Sequence, residues 1–203
     1  MKNKLIILTT LLLFLASCNY IPDSYTTSIQ AERTKKDSLY KIIGESPLSA
    51  MQIDSFTSLD YFLVDKKYMV EAKLSKFTEK EIVQLKTSTD RLPNYLRYGL
   101  VTFSIDGINY QLTAFKSTDE KNPEYNNYLF LPFTDNNSTI STYGGGRYLD
   151  FEIPVSENFI IDFNKAYNPY CAYNHKWSCV IPPRENALPI AINAGEKKYI
   201  TQH

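Results

Sequence analysis

VTFSIDGINYQLT, residues 101–113, decides the fold class. Asp106-Gly107 is a two-residue turn signature, because type I′ geometry needs positive φ at both central positions and matches the twist of paired strands. The turn opposes Ile105 to Ile108, Phe103 to Tyr110 and Val101 to Leu112, which puts all six on one face. Thr102, Ser104, Asn109, Gln111 and Thr113 share the other face. A slip of one residue would mix the two sets, so turn and pattern agree on one register. The expected element is an antiparallel hairpin with one buried face.

The same reading extends both ways along the chain. Upstream, Tyr61–Val64 is a short aromatic-aliphatic run, and Tyr68–Phe77 alternates with Val70, Ala72 and Leu74 on one side. Thr78-x-x-Glu81 fits a capping box with a helical turn after it, whereas Val83, Leu85 and Thr87 fit a strand. Downstream, Tyr128–Phe133 (YLFLPF) reads as a buried strand with an edge or bulge at Pro132. Arg147–Ile153, Phe159–Phe163 and Leu188–Ile192 are further strands, and 116–127, 135–146 and 168–186 are loops. Close-set short strands without regular helices between them favour an antiparallel β-barrel or sandwich over βαβ units. Sixteen Tyr and eleven Phe support strands over a helical bundle. The expected class is mainly β (α+β), with one N-terminal helix over Ile29–Ile43. Leu39, Ile42 and Ile43 would be that helix's apolar side, Gly44 its C-cap, and the charges of Glu32–Asp37 a solvated face.

The chain begins with Lys2 and Lys4, an apolar run over Leu5–Ala16, and Leu15-Ala16-Ser17-Cys18. Such a run suits export but is shorter than the ~20 residues that span a bilayer. Small residues before a cysteine look like the lipobox of bacterial lipoproteins, in which Cys18 is acylated and becomes the mature N-terminus. The expected organisation is a signal peptide over 1–17, acylated Cys18 and a tether to 30, and one β-rich domain over 31–203. Acyl chains at ~0.8 kcal/mol per buried methylene would then hold the protein on a membrane of the cell envelope, on the exported side. Without residues 1–17, 20 basic residues face 22 acidic ones, which gives no basic surface that points to nucleic acid.

Chemistry-bearing patterns are few. Gly144-Gly145-Gly146 leads through Arg147 into a strand-like run rather than a helix, so a turn or close backbone packing is the plain reading. An anion held by backbone and Arg147 is the sharper one. Cys171, His175 and Cys179 stand at C-x₃-H-x₃-C, compatible with a disulfide, with free thiols, or with a metal site completed by Asp162 or Glu185. That spacing is not a standard finger, so no metal and no cofactor is assigned. No G-x-S-x-G exists, and paired acids such as Asp150 and Glu152 are explained as outward strand positions.

Several longer motifs add a resemblance. YGGGRYLD (143–150), DFNKAYNP (162–169), PPREN (182–186) and AGE (194–196) resemble the domain of unknown function 1684, as do SPL (46–48) and LDYF (59–62). The resemblance runs from about residue 31 to the C-terminus and implies no established reaction or ligand. It marks Tyr143, Gly146, Arg147, Asp162, Asn164, Tyr167, Asn168, Pro169, Cys171, Cys179 and Asn186 as family-like positions, and His175 as outside the pattern. Relatives without an export signal share cysteines matching Cys171 and Cys179, which implies paired thiols or ligands as readily as a disulfide.

Together these readings predict a lipid-anchored envelope protein that binds a small polar or anionic molecule or an envelope protein. The expected pocket joins Tyr143, Gly144, Gly145, Gly146 and Arg147 to Asp162, Asn164, Tyr167, Asn168 and Asn186. Arg147 would hold the anion, the asparagines would hydrogen-bond it, and Tyr143, Tyr167 and Tyr173 would wall it. The alternative is an enzyme, of hydrolytic or other reaction, using Asp162 with Cys171 or Arg147.

Overall fold

The hairpin at Asp106-Gly107 forms in the expected register: Ile105 pairs with Ile108, Phe103 with Tyr110 and Val101 with Leu112. Both turn residues have positive φ, 52° and 77°. The computed structural model describes residues 23–119 and 126–200. Cys18, the apolar leader and His203 lie outside the described residues. Among the described residues, no helix is long and apolar enough to cross a membrane.

Two helices, α1 (Ser24–Tyr40) and α2 (Ala50–Ser55), precede six strands. The strands are β1 (Met69–Gln84), β2 (Asn94–Ile105), β3 (Ile108–Ser117), β4 (Tyr128–Phe133), β5 (Arg147–Glu152) and β6 (Asn158–Asp162). They make one antiparallel sheet in the order β5-β4-β3-β2-β1-β6. Residues 153–157 therefore link strands at opposite edges. Flat, six strands would hold those edges about 24 Å apart. Instead Phe151 of β5 stacks on Phe159 of β6 with centroids 5.0 Å apart. The sheet curls into a half-barrel whose seam is an aromatic contact rather than a ladder. Val70, Ala72, Leu74, Val101, Phe103 and Leu112 supply much of its buried inner face, as the alternation predicted.

Three segments outside the helices differ from the sequence reading. Thr78–Glu81 lies inside β1, where the register against β2 shifts between Lys76 and Glu81. Ile82 and Val83 beyond it pair with Leu96 and Tyr95, and a lone helical turn there would forgo that pairing. Tyr61–Val64 contributes only a bridge from Tyr61 to Glu196. Leu188–Ile192 is buried at both ends but forms no strand: the Ile192 N–H donates to the Asp135 carboxylate at 3.0 Å.

Helix α1 departs most from expectation. It begins at Ser24, inside the segment read as tether, because Asp23 caps it by accepting from the Thr26 N–H at 3.0 Å. Its docking face is Ile29, Arg33, Lys36 and Tyr40, spaced as neighbours on one side of a helix. Leu39, Ile42 and Ile43, expected to face the core, are 41%, 47% and 78% exposed. Polar contacts, not an apolar stripe, seat this helix.

Candidate functional site

Between α1 and the body lies a cavity of about 220 Å³, lined among others by Arg33, Lys36, Tyr61, Asn164, Tyr167 and Glu196. The turn carrying Glu196 is wedged between two segments: Phe62 N–H donates to Gly195 O at 3.0 Å, and Glu196 N–H to Ala166 O at 2.9 Å. Gly195 has φ +77°, and a Cβ there would sit 2.5 Å from Ala166 O and 2.8 Å from Ala166 Cβ. Gly195→Ala is thus expected to cost about 1–3 kcal/mol, read as a lowered denaturant midpoint. An unchanged midpoint would show that the wedge yields freely.

The Glu196 carboxylate is 1% exposed. It pairs with Lys36, accepts from Tyr173 Oη at 2.5 Å, and accepts from the Asn168 N–H at 2.8 Å. Lys36 lies 5.4 Å from the Tyr40 ring centroid and 5.0 Å from that of Tyr167, so its charge sits between two π faces. Burial and the neighbouring Glu196 charge push the Tyr40 and Tyr61 hydroxyls above the usual phenol range, so both stay protonated. Neither hydroxyl finds a hydrogen-bond partner among the described residues.

Arg33 carries the net charge of this cavity. Its two Nη atoms donate to backbone carbonyls, Phe62 O at 2.9 Å and Asn164 O at 3.3 Å, and its guanidinium lies 4.4 Å from the Tyr61 ring centroid. Its buried Nε has no partner among the described residues, and burial pulls its pKa below the ordinary arginine value. Glu32, by contrast, is paired with Lys165 at 2.8 Å.

The residues singled out from the sequence do not meet in one pocket. Asn164 and Tyr167 line the α1 cavity. Asn168 stands behind it, its Nδ2 donating to Lys197 O at 2.8 Å. Asp162 accepts from Tyr25 Oη at 2.9 Å and caps the Asn164 N–H at 3.0 Å, while Asn164 clamps both backbone groups of Asp65. None of these Asp162 contacts involves Cys171 or Arg147, so the expected Asp162–Cys171 or Asp162–Arg147 chemistry has no geometric basis here. Tyr167 donates to Asp150 at its far end.

Arg147, expected to hold a ligand anion, holds an internal one. It is 1% exposed and pairs with equally buried Asp135 at 2.8 Å. Its remaining Nη hydrogens go to Ala194 O, to Ile192 O at 2.9 Å and to Glu196 O at 3.2 Å. The Phe133 ring covers it at 5.3 Å from the centroid. Desolvation lowers its pKa while Asp135 opposes that shift. Asn186, expected as a ligand donor, is fully buried and binds backbone. It accepts from Thr113 N–H at 2.8 Å and donates to Thr113 O and Pro132 O at 2.9 and 2.7 Å.

The triple glycine is a turn packed against strand β4, not an anion loop. Gly146 has φ +86°, and a Cβ there would lie 2.6 Å from both Phe133 O and Pro182 Cγ. Gly144 and Gly145 complete the same turn, which Gly146 N–H closes onto Tyr143 O at 3.1 Å. Tyr143 itself points elsewhere, donating to Cys171 Sγ at 3.6 Å. Cys171 and Cys179 are neighbouring free thiols rather than a disulfide, with the Cys171 N–H 3.0 Å from Cys179 Sγ. His175 is exposed, and no group of three or more metal-ligating side chains occurs among the described residues.

Arg33, Lys36, Tyr61, Asp135 and Glu196 were not singled out as site residues from the sequence. One signal was present: the 29-33-36-40 spacing on α1, hidden because its polar members read as a solvated face.

The comparisons agree with this fold and leave its chemistry open. No curated protein matches the chain. A solution NMR structure of an uncharacterised protein of Haloarcula marismortui is similar, with TM-score 0.65 and 36% identity over 85% of this chain and 94% of that one. Residues 54–197 match a family model described as "Protein of unknown function (DUF1684)". Helix α1 precedes that match, and the Glu196 turn that it covers lies within it. The chain belongs to the DUF1684 family.

Proposed function

We propose that this protein is a lipid-anchored protein of the cell envelope that binds a small anion in the cavity beneath α1. The observation carrying this reading is Arg33, which among the described residues makes no ion pair with a carboxylate and has a buried, unsatisfied Nε beside the unsatisfied Tyr61 hydroxyl. A buried donor without an acceptor costs about 1–3 kcal/mol, which an anionic oxygen would recover. Three cationic side chains against two carboxylates line the cavity, so its field favours an anion. At about 220 Å³ the cavity suits a small carboxylate or phosphate rather than a drug-sized molecule. The leader ending in Cys18 supports delivery to a membrane surface.

Titration calorimetry of the purified chain with acetate, citrate and inorganic phosphate tests the binding. At least one should bind, Arg33→Met should weaken it tenfold or more, and Arg33→Lys should keep part of it. Heat signals indistinguishable from dilution for all three anions would overturn the binding reading. Loss of the protein from the membrane fraction in Cys18→Ala is the matching expectation for the anchor.

A further inference from the structure

The thiol pair lies apart from the α1 cavity, and its arrangement suggests a chemistry of its own. Cys171 sits in the short helical turn Tyr170–Ala172 and is 5% exposed, while Cys179, eight positions later, is half-buried. The loop between them is closed by hydrogen bonds to the segment that follows β1: Ser88 N–H donates to Cys179 O at 2.8 Å, and Cys179 N–H donates to Ser88 Oγ at 3.1 Å. Tyr143 Oη donates to the Cys171 sulfur at 3.6 Å. The Cys171 N–H in turn reaches Cys179 Sγ at 3.0 Å. Each sulfur thus has a separate donor ready to steady it as an anion.

We infer that Cys171 and Cys179 form a redox-active dithiol that exchanges with small disulfides, Cys179 attacking first and Cys171 resolving. The half-buried sulfur is the one an incoming disulfide reaches, and Cys171, whose backbone N–H reaches Cys179 Sγ, is the residue placed to displace the product. In the first step Cys179 gives up its proton to solvent, and its thiolate attacks RSSR, forming Cys179–S–SR and releasing RS⁻. In the second, Cys171 gives up its own proton to solvent or to RS⁻, attacks Cys179 Sγ and releases the second RS⁻. The dithiol loses two electrons to form the Cys171–Cys179 disulfide, and RSSR is reduced to two thiols. In the free dithiol the Cys179 side chain and Tyr143 lower the Cys171 pKa from the ordinary thiol range, and once Cys179 is in the mixed disulfide the Tyr143 hydroxyl remains to steady the thiolate the second step requires.

The test is incubation of the folded full chain with oxidised glutathione at neutral pH, followed by alkylation of remaining thiols and tryptic mass spectrometry. Lys176 separates the cysteines, so the disulfide would appear as peptide 166–176 cross-linked to peptide 177–184. The wild type should accumulate this cross-link with little lasting glutathione adduct. Cys171→Ser should stop at a glutathione adduct on Cys179. Cys179→Ser should react at least tenfold more slowly, because only the buried sulfur remains. Two fully alkylatable thiols after treatment would overturn the inference. So would a persistent adduct on the wild type, or a Cys179→Ser chain reacting as fast as wild type.

Discussion

Replacing Arg147 with methionine is expected to cost about 3–5 kcal/mol, the range for breaking a buried ion pair from one side. Methionine fills the space of the side chain beside Phe133 but supplies no donor. Asp135 would keep the Ile192 and Asn137 N–H groups and the Ser138 hydroxyl, yet lose the cation it pairs with among the described residues. Carbonyls of Ile192, Ala194 and Glu196 would lose their shared donor at the same time. Those carbonyls belong to the turn that carries the Glu196 side chain, so the damage should spread to the α1 cavity. Urea denaturation measures the loss directly. The double variant Arg147→Met/Asp135→Leu should be more stable than the two single losses summed, since it removes the stranded charge. A single-variant loss below about 1 kcal/mol would mean that this network does not hold the turn.

Asn186→Leu should have a comparable effect, about 3–5 kcal/mol, by a different route. Strands β3 and β4 are paired only at Phe115 and Phe130, and Pro132 has no N–H to add to the ladder. The Asn186 amide fills that gap: one side chain satisfies the Thr113 N–H, the Thr113 C=O and the Pro132 C=O. Leucine keeps the branched shape, though it is larger, and strands all three groups, at about 1–3 kcal/mol for each one left unsatisfied. Thermal unfolding should shift down by on the order of 10 °C for a domain of this size. Amide exchange at Thr113 offers a local readout, since its protection should fall more than that of Val101 in the core. Equal protection at both sites would show that another group had taken over the bridge.

Much of the sheet was legible because its rules are local. Asp106-Gly107 and the alternation around it specify one register, and Tyr128–Phe133 and Arg147–Glu152 carry enough apolar and aromatic residues to read as strands. The site was far less legible. Arg147 and Asn186 have the chemistry of ligand-binding side chains, and in a linear chain nothing separates a donor aimed at a ligand from one aimed at backbone. Both were singled out as important, and both turned out to be bound to the protein itself. Arg33 and Lys36 failed the opposite way, since charges in a helical segment read as solvated.

The linear chain alone determines the hairpin, the β-rich class and the family, because turn chemistry and period-two patterning act between residues close in sequence. Only the tertiary structure decides which polar groups are spent inside and which remain unsatisfied. Asp135 reaches Arg147 across a loop, Asn186 reaches Thr113 across 73 positions, and Lys36 reaches Glu196 across 160. Hydrogen bonds and ion pairs act over a few ångströms of space regardless of separation along the chain. Until the chain folds, none of these three pairs exists, and neither does the difference between a strut and a site.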